Sequence, residues 1–462
     1  MKRRTLLATG SLSALHLFVS ACKSGRTVPS AMPERIKIPI KTGFGPLIAH
    51  PSLPFDCPAG FEITVIESAL DPMSDGNKMP GQPDGMACFE VENGHWVLLR
   101  NHELAGVETL NKWSTKGNPF PEDMAPEPRF SDNNFGGVSR VELNPSALHE
   151  ALSKGTNSTN FLVQSLLILS GTDGNCAGGV VDNAWLSCEE SSADGHGYAF
   201  VTRPEDTELQ EPRPVRSWGR FHREAVALDS KTGTVYMTED RSDGLFYRFI
   251  PESPTEPFGP GLLQALRIQG VSNTSPYDEA SAAALWENGQ TWQVDWVDIE
   301  DPAASEKTCR LQGQEAGATS FQRGEGIYPD EDGIWFIAST AGHKQGGQIF
   351  RFRPQDNTLE LALEIGDRSL LSCPDNLCVA PWGDLICTED NYAYAEGVTH
   401  QHIRGVTRDG QVYDILRAQE QGENHPGPEF TGPCFSPDGS VLFVNVQRPL
   451  EMTLAIRGPW PS

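Results

Sequence analysis

The chain has 462 residues, 36 basic against 62 acidic, for a net charge of −26. Such acidity speaks against nucleic-acid binding, which draws its affinity from Lys and Arg on phosphates. Forty-five glycines and 35 prolines point to turn-rich β structure and away from a helical bundle.

The first element is a processing segment. Lys2-Arg3-Arg4 is a basic start, and Leu6 to Val19 is an apolar run too short to span a bilayer comfortably. Arg3-Arg4-Thr5-Leu6-Leu7 fits a twin-arginine export signal. Val19-Ser20-Ala21-Cys22 resembles a bacterial lipobox and makes Cys22 the expected lipidation site. The chain therefore divides into a signal peptide over 1–21, a tether over 22–45 and one folded domain over 46–462. Export allows disulfides. Of ten cysteines, eight remain once Cys22 goes to lipid and one thiol to metal, and Cys373 and Cys378 are close enough in sequence to pair.

Six times a Gly, Asn or Asp turn leads into a short apolar strand that in most cases ends on polar, often acidic, residues. The copies end at Asn101-His102-Glu103, Cys188-Glu189-Glu190, Thr238-Glu239-Asp240, Ser339-Thr340, Thr388-Glu389-Asp390-Asn391, and Asn445 with Gln447. A second strand soon follows most copies, as in Leu245-Phe246-Tyr247-Arg248-Phe249. The fold class expected is all-β: a six-bladed β-propeller with long inter-blade insertions, chiefly at 104–135 and 253–318. A propeller axis would gather the six strand ends at one mouth.

Calcium takes six to eight oxygen ligands. Glu103, Glu189, Glu190, Glu239, Asp240, Glu389, Asp390 and Asn391 suit it. Cys188 suits a transition metal instead, so a mixed site is expected. Glu224 and Glu325 precede the third and fourth strands, each with an arginine close by, and Asp375 precedes the fifth. Arginine's fork matches phosphate oxygens.

Taken in order, Arg100-Asn101-His102-Glu103, Trp185-Leu186-Ser187-Cys188-Glu189-Glu190, Gly219-Arg220-Phe221-His222-Arg223-Glu224-Ala225, Glu239-Asp240-Arg241, Arg323-Gly324-Glu325-Gly326, Pro374-Asp375-Asn376 and Glu389-Asp390-Asn391 resemble the PhoX alkaline phosphatases. Glu429-Phe430-Thr431-Gly432-Pro433-Cys434 resembles that family's closing blade. The resemblance implies hydrolysis of phosphate monoesters with Fe3+ and Ca2+ as cofactors. It implies Cys188, Glu224 and Glu325 on iron, the neighbouring carboxylates on calcium, and Arg323 and Asn101 on phosphate. Val180-Val181-Asp182-Asn183-Ala184 departs from the family's pattern before the thiol motif. The partners expected are a small phosphate ester, no nucleic acid, and a membrane only through Cys22, in a monomeric periplasmic or cell-surface protein. A calcium-dependent propeller lactonase or esterase and a non-catalytic, lipid-anchored binding propeller are the rival readings.

Overall fold

In the computed structural model the described residues are 43–106, 119–120, 124–155, 159–278, 283–391, 398, 400–419 and 427–461. They are almost wholly antiparallel strands. The helices among them are short, Pro145–Lys154, Cys309–Glu315 and a 3-10 turn at Arg216–Trp218, and none is long and apolar enough to cross a membrane.

The strands pair mostly with their neighbours in sequence. Pro83–Glu90, Trp96–His102, Gly136–Leu143 and Leu162–Thr172 form one four-stranded sheet, and Asn175–Val181, Ala184–Glu189 and Ala199–Thr202 a three-stranded one. Pro374–Val379, Leu385–Glu389, His402–Val406 and Val412–Ala418 are extended at their outer edge by Phe55–Pro58 and Leu47–Ala49. The last sheet is Phe430–Phe435, Leu442–Val446 and Met452–Arg457, completed by Glu62–Ser68 from the beginning of the chain. That pairing joins the two ends of the fold, and an Arg457–Glu62 ion pair sits on it.

The arrangement is propeller-like, but six separate blades are not formed. Arg223–Asp229 and Gly324–Asp330 each begin a run of strands, and the two runs are continuous in one ten-stranded sheet. Thr291–Asp298 makes the join, pairing with Gly261–Ile268 on one side and with Thr358–Glu364 on the other. Residues 253–318, read from sequence as an insertion, thus contain two strands of the ten-stranded sheet, the short pair Tyr277–Asp278 and Ala283–Ala284, and the helix Cys309–Glu315. The sequence repeat carries no mark of this edge-to-edge pairing, because it depends on a strand borrowed from outside the repeat. In the other insertion Leu104, Phe120, Ala125 and Phe135 are buried against the first sheet.

The first strands of the sheets stand side by side round the axis. In order they are Pro83–Glu90, Asn175–Val181, Arg223–Asp229, Gly324–Asp330, Pro374–Val379 and Phe430–Phe435, and the last meets the first. The ten-stranded sheet supplies two of these inner strands. Apolar clusters fill the wedges between sheets. Such burial gives about 25 cal/mol per Å2 of apolar surface and holds the inner strands in place.

Cys22, the signal peptide and most of the tether lie outside the described residues. The folded body begins earlier than residue 46: Phe44 packs edge-on against Phe61, Tyr413, Trp382 and Trp460. The nine cysteines from Cys57 to Cys434 are free thiols. Cys373 and Cys378 do not pair. Cys373 Sγ lies 3.3 Å from Arg368 Nη2, while Cys378 is in an apolar core with Ile386 and Ile403.

Candidate metal centre

Each inner strand breaks register near its start. The shifts fall between Pro83 and Met86, Asn175 and Gly178, Arg223 and Val226, Gly324 and Ile327, Pro374 and Leu377, and Thr431 and Cys434. A bulge leaves its extra residue outside the ladder and re-aims the side chain. The bulged pairs are Asp84-Gly85, Cys176-Ala177, Glu224-Ala225, Glu325-Gly326, Asp375-Asn376 and Gly432-Pro433. Five of the six begin with an ionisable residue.

A second layer comes from the next strand of each sheet, at the residue just past its end. Glu103, Glu190, Asp240 and Asp390 occupy that place. Together with Glu429 the two layers give four overlapping sets of possible ligands, each with its donor atoms within 4.8 Å of one another: Asp84, Glu103 and Cys176; Cys176, Glu190 and Glu224; Glu224, Glu325 and Asp375; Asp375, Asp390 and Glu429. Each set shares a member with the next, so the donors form a continuous arc.

Burial and then mutual repulsion push the carboxyls of Asp84, Glu190, Glu224, Glu325 and Asp375 well above the usual carboxylate range. Asp390 and Glu103 move in the same direction, and Glu429 rises to about 7. Burial raises the Cys176 thiol as well, with Asp84 and Glu224 adding to it. Neither oxygen of Glu224 has a hydrogen-bond partner among the described residues. Unpaired buried carboxylates are costly, and a multivalent cation would offset that cost. The donors fit such ions: carboxylate oxygens suit calcium, and a thiolate suits iron.

One side of the arc carries its own cation. Arg323 has a left-handed backbone, φ 54°. Its Nε and Nη2 lie 2.9 and 3.0 Å from the two oxygens of Asp240, and Nη2 lies 2.8 Å from Glu325 Oε1. Burial alone would raise Asp240, but the Arg323 guanidinium holds its carboxyl below the ordinary value. Asp240 is thus an arginine partner and belongs to none of the four ligand sets.

The acidic doublets at the strand ends split into two roles. Glu189 accepts from His196 Nδ1 at 2.7 Å and from the backbone N–H groups of Gly197 and Asp173 at 2.8 and 3.0 Å. Glu239 accepts from Tyr247 Oη at 2.8 Å and Leu245 N at 3.2 Å. Glu389 meets Ser372 N at 3.0 Å and His402 Nδ1 at 3.0 Å. These three tie strands together away from the axis, while Glu190, Asp240 and Asp390 reach the site. Adjacent strand residues point to opposite faces, so each doublet has one member on each side.

The expected thiol is also relocated. Cys188 is fully buried in the apolar cluster of Val181, Leu186, Trp218 and Met237. Burial pushes it up to about 12. It lies one strand farther from the axis, within the stretch that pairs across the Cys176 bulge. Second strands are covered on both faces, and only their ends emerge. Asn101 is fully buried, and its amide nitrogen donates to the main-chain carbonyls of Cys176 and Ala177 in the neighbouring sheet.

Glu224, Glu325, Asp375, Glu190 and Asp390 are therefore brought together as read from sequence. Asp84, Cys176 and Glu429 were missed. The available signal was an ionisable residue followed by a small one at the start of a short strand, as in Asp84-Gly85 and Cys176-Ala177.

The profile of the alkaline phosphatase PhoX family matches residues 42–449. No curated protein matches the chain. Among solved structures the chain is similar to Pseudomonas fluorescens PhoX in complex with vanadate, a transition state analogue. The two are 18% identical with a TM-score of 0.62, over 90% of this chain and 98% of that one. A gluconolactonase from Xanthomonas campestris is 11% identical with a TM-score of 0.41, over 90% of this chain and 98% of that one. With most of its length matched by one family profile, the chain belongs to the alkaline phosphatase PhoX family.

Proposed function

We propose that the protein hydrolyses phosphate monoesters at a centre holding iron and calcium. The observation that carries this reading is the continuous arc of four ligand sets at the axis in a chain of a phosphatase family. Cys176 with Glu190 and Glu224 is the iron position, the sets centred on Asp375 take calcium, and Asp84 and Glu103 complete the arc beside the thiol. Bound cations there would neutralise phosphate charge and supply an activated nucleophile.

The chain's own groups do the rest. Arg323 is held by Asp240 and Glu325, which leaves its remaining N–H groups to orient phosphate oxygens at the mouth. Arg448, 3.6 Å from Glu429, adds positive charge to the same side. Burial of the arc keeps bulk water out, which strengthens every charge interaction inside. Hydrolysis of p-nitrophenyl phosphate by metal-replete protein, with a phosphodiester and a lactone as comparison substrates, tests the reading. Absence of phosphomonoester hydrolysis in protein shown to contain metal would refute it.

Export by the twin-arginine route, lipidation at Cys22, a periplasmic or cell-surface location and a monomeric state complete the proposal. Mass spectrometry of the N-terminal peptide tests the lipid: an unmodified Cys22 in membrane-fraction protein would remove the anchor.

A further inference from the structure

The ligands all face the axis. A separate set of polar side chains points sideways, from one run of strands into the next. Asn101 Nδ2 donates to the main-chain carbonyls of Cys176 and Ala177, at 2.5 and 2.8 Å, and its Oδ1 accepts from Trp185 Nε1 at 2.8 Å. The Thr238 hydroxyl donates to the carbonyl of Glu325 at 2.6 Å and accepts from the N–H of Ala225 at 3.2 Å. Asn445 Nδ2 donates to the carbonyl of Asp84. In each case the acceptor is the main chain of a ligand-bearing bulge on the next inner strand round the axis.

This arrangement answers a need of the bulge itself. A bulged residue leaves the ladder, so its peptide groups lose their strand partners, and buried peptide groups require replacements. The replacement comes from the neighbouring run of strands. Asn101 and Asn445 are fully buried and Thr238 nearly so, so water does not compete for these bonds. Where no side chain bridges the gap, the backbones come close instead. A Cβ on Gly326 would lie 2.7 Å from the Asp375 carbonyl oxygen, and one on Gly179 only 1.8 Å from that of Val226.

We propose that Asn101, Thr238 and Asn445 are positioning residues for the metal centre, each fixing the distance between ligands on adjacent inner strands by gripping a ligand's own carbonyl. The inference rests on the metal reading above. Two of the grips fall within single ligand sets. Thr238 ties the bulges of Glu224 and Glu325, which belong to one all-carboxylate set. Asn101 lies next but one to Glu103 and holds Cys176. The two residues thus act on different parts of the arc, Thr238 on the calcium side and Asn101 on the thiol.

The test uses full-length protein loaded with iron and calcium, with metal content followed by elemental analysis through a series of chelator-buffered free metal concentrations. Thr238→Val keeps the shape and removes the hydroxyl, and Thr238→Ser restores it. Thr238→Val is expected to weaken calcium retention about tenfold, the range seen for groups that orient metal ligands, and Thr238→Ser to stay within about threefold of wild type. Asn101→Ala is expected to lower iron retention more than calcium retention. A merely structural role would shift the melting temperature without separating the two metals. Wild-type retention of both metals by Thr238→Val, or a Thr238→Ser variant as weak as Thr238→Val, would overturn the proposal. Should Asn101→Ala not fold, the valine–serine pair carries the test. A wild-type protein that binds neither metal would remove the metal reading itself. One that binds both, with unaltered variants, would remove only the positioning role.

Discussion

The buried carboxylates occupy two regions a single strand apart, and they behave differently. Away from the axis, Glu189, Glu239 and Glu389 receive N–H and O–H donors from their own or neighbouring strands. At the axis, Glu224 has no hydrogen-bond partner among the described residues, and Asp84, Glu190, Glu325, Asp375 and Asp390 crowd one another. The outer set joins strands; the inner set is left incomplete for a cation. Glutamates stand in both regions, so the environment made by the bulge, and not acidity, marks a ligand.

The largest expected effect breaks the inner region. Glu224→Gln should lower kcat/KM for p-nitrophenyl phosphate by more than about 100-fold, beyond the cost usual for residues that only orient ligands. The same change should raise the melting temperature of the metal-stripped protein, because it removes the cost of burying and neutralising a carboxyl with no partner. A metal-stripped variant less stable than wild type would contradict that half.

The outer region should respond with the opposite sign. Glu189→Gln loses charged hydrogen bonds to His196 and three backbone N–H groups and should cost about 2–3 kcal/mol in denaturant unfolding, with or without metal. Glu239 adds a pH signature. Burial raises its folded pKa to about 7 from an unfolded value near ~4.3. A raised folded value means the stability linked to Glu239 is fully present below the unfolded pKa and is lost as pH rises through about 7. Stability measured from pH 5 to pH 8 should therefore fall more steeply in wild type than in Glu239→Gln.

A smaller effect concerns Arg323. Lysine cannot span both oxygens of Asp240 and still reach Glu325. Arg323→Lys should raise KM for p-nitrophenyl phosphate about tenfold, roughly one two-point contact's worth, with a lesser change in kcat. An unchanged KM would move phosphate recognition to another group.

Much of this was legible in the chain. Alternating apolar strands ending in Glu-Glu or Glu-Asp doublets mark the second strands, and their polar ends do gather at the axis. The doublets do not say which member faces inward, because that depends on where each strand leaves its sheet. The inner strands were harder to read. Asn175-Cys176-Ala177-Gly178-Gly179 has little apolar character, since Gly178 and Gly179 must admit the backbones of Leu186 and Val226. Its thiol was therefore passed over for Cys188, which stands beside two glutamates in sequence and in an apolar core in space. The join through Thr291–Asp298 was hidden for a related reason, since long-range edge pairing leaves no periodic trace.

Cys188 is the site of the smallest expected effect. Cys188→Ala should cost about 1 kcal/mol of stability as a buried truncation and leave metal content intact. Paired with Cys176→Ala, it supplies the most direct test of the account. Elemental analysis of the two purified variants should find iron lost from Cys176→Ala and retained in Cys188→Ala. Iron retained by Cys176→Ala and lost from Cys188→Ala would contradict the placement of the centre on the inner strands.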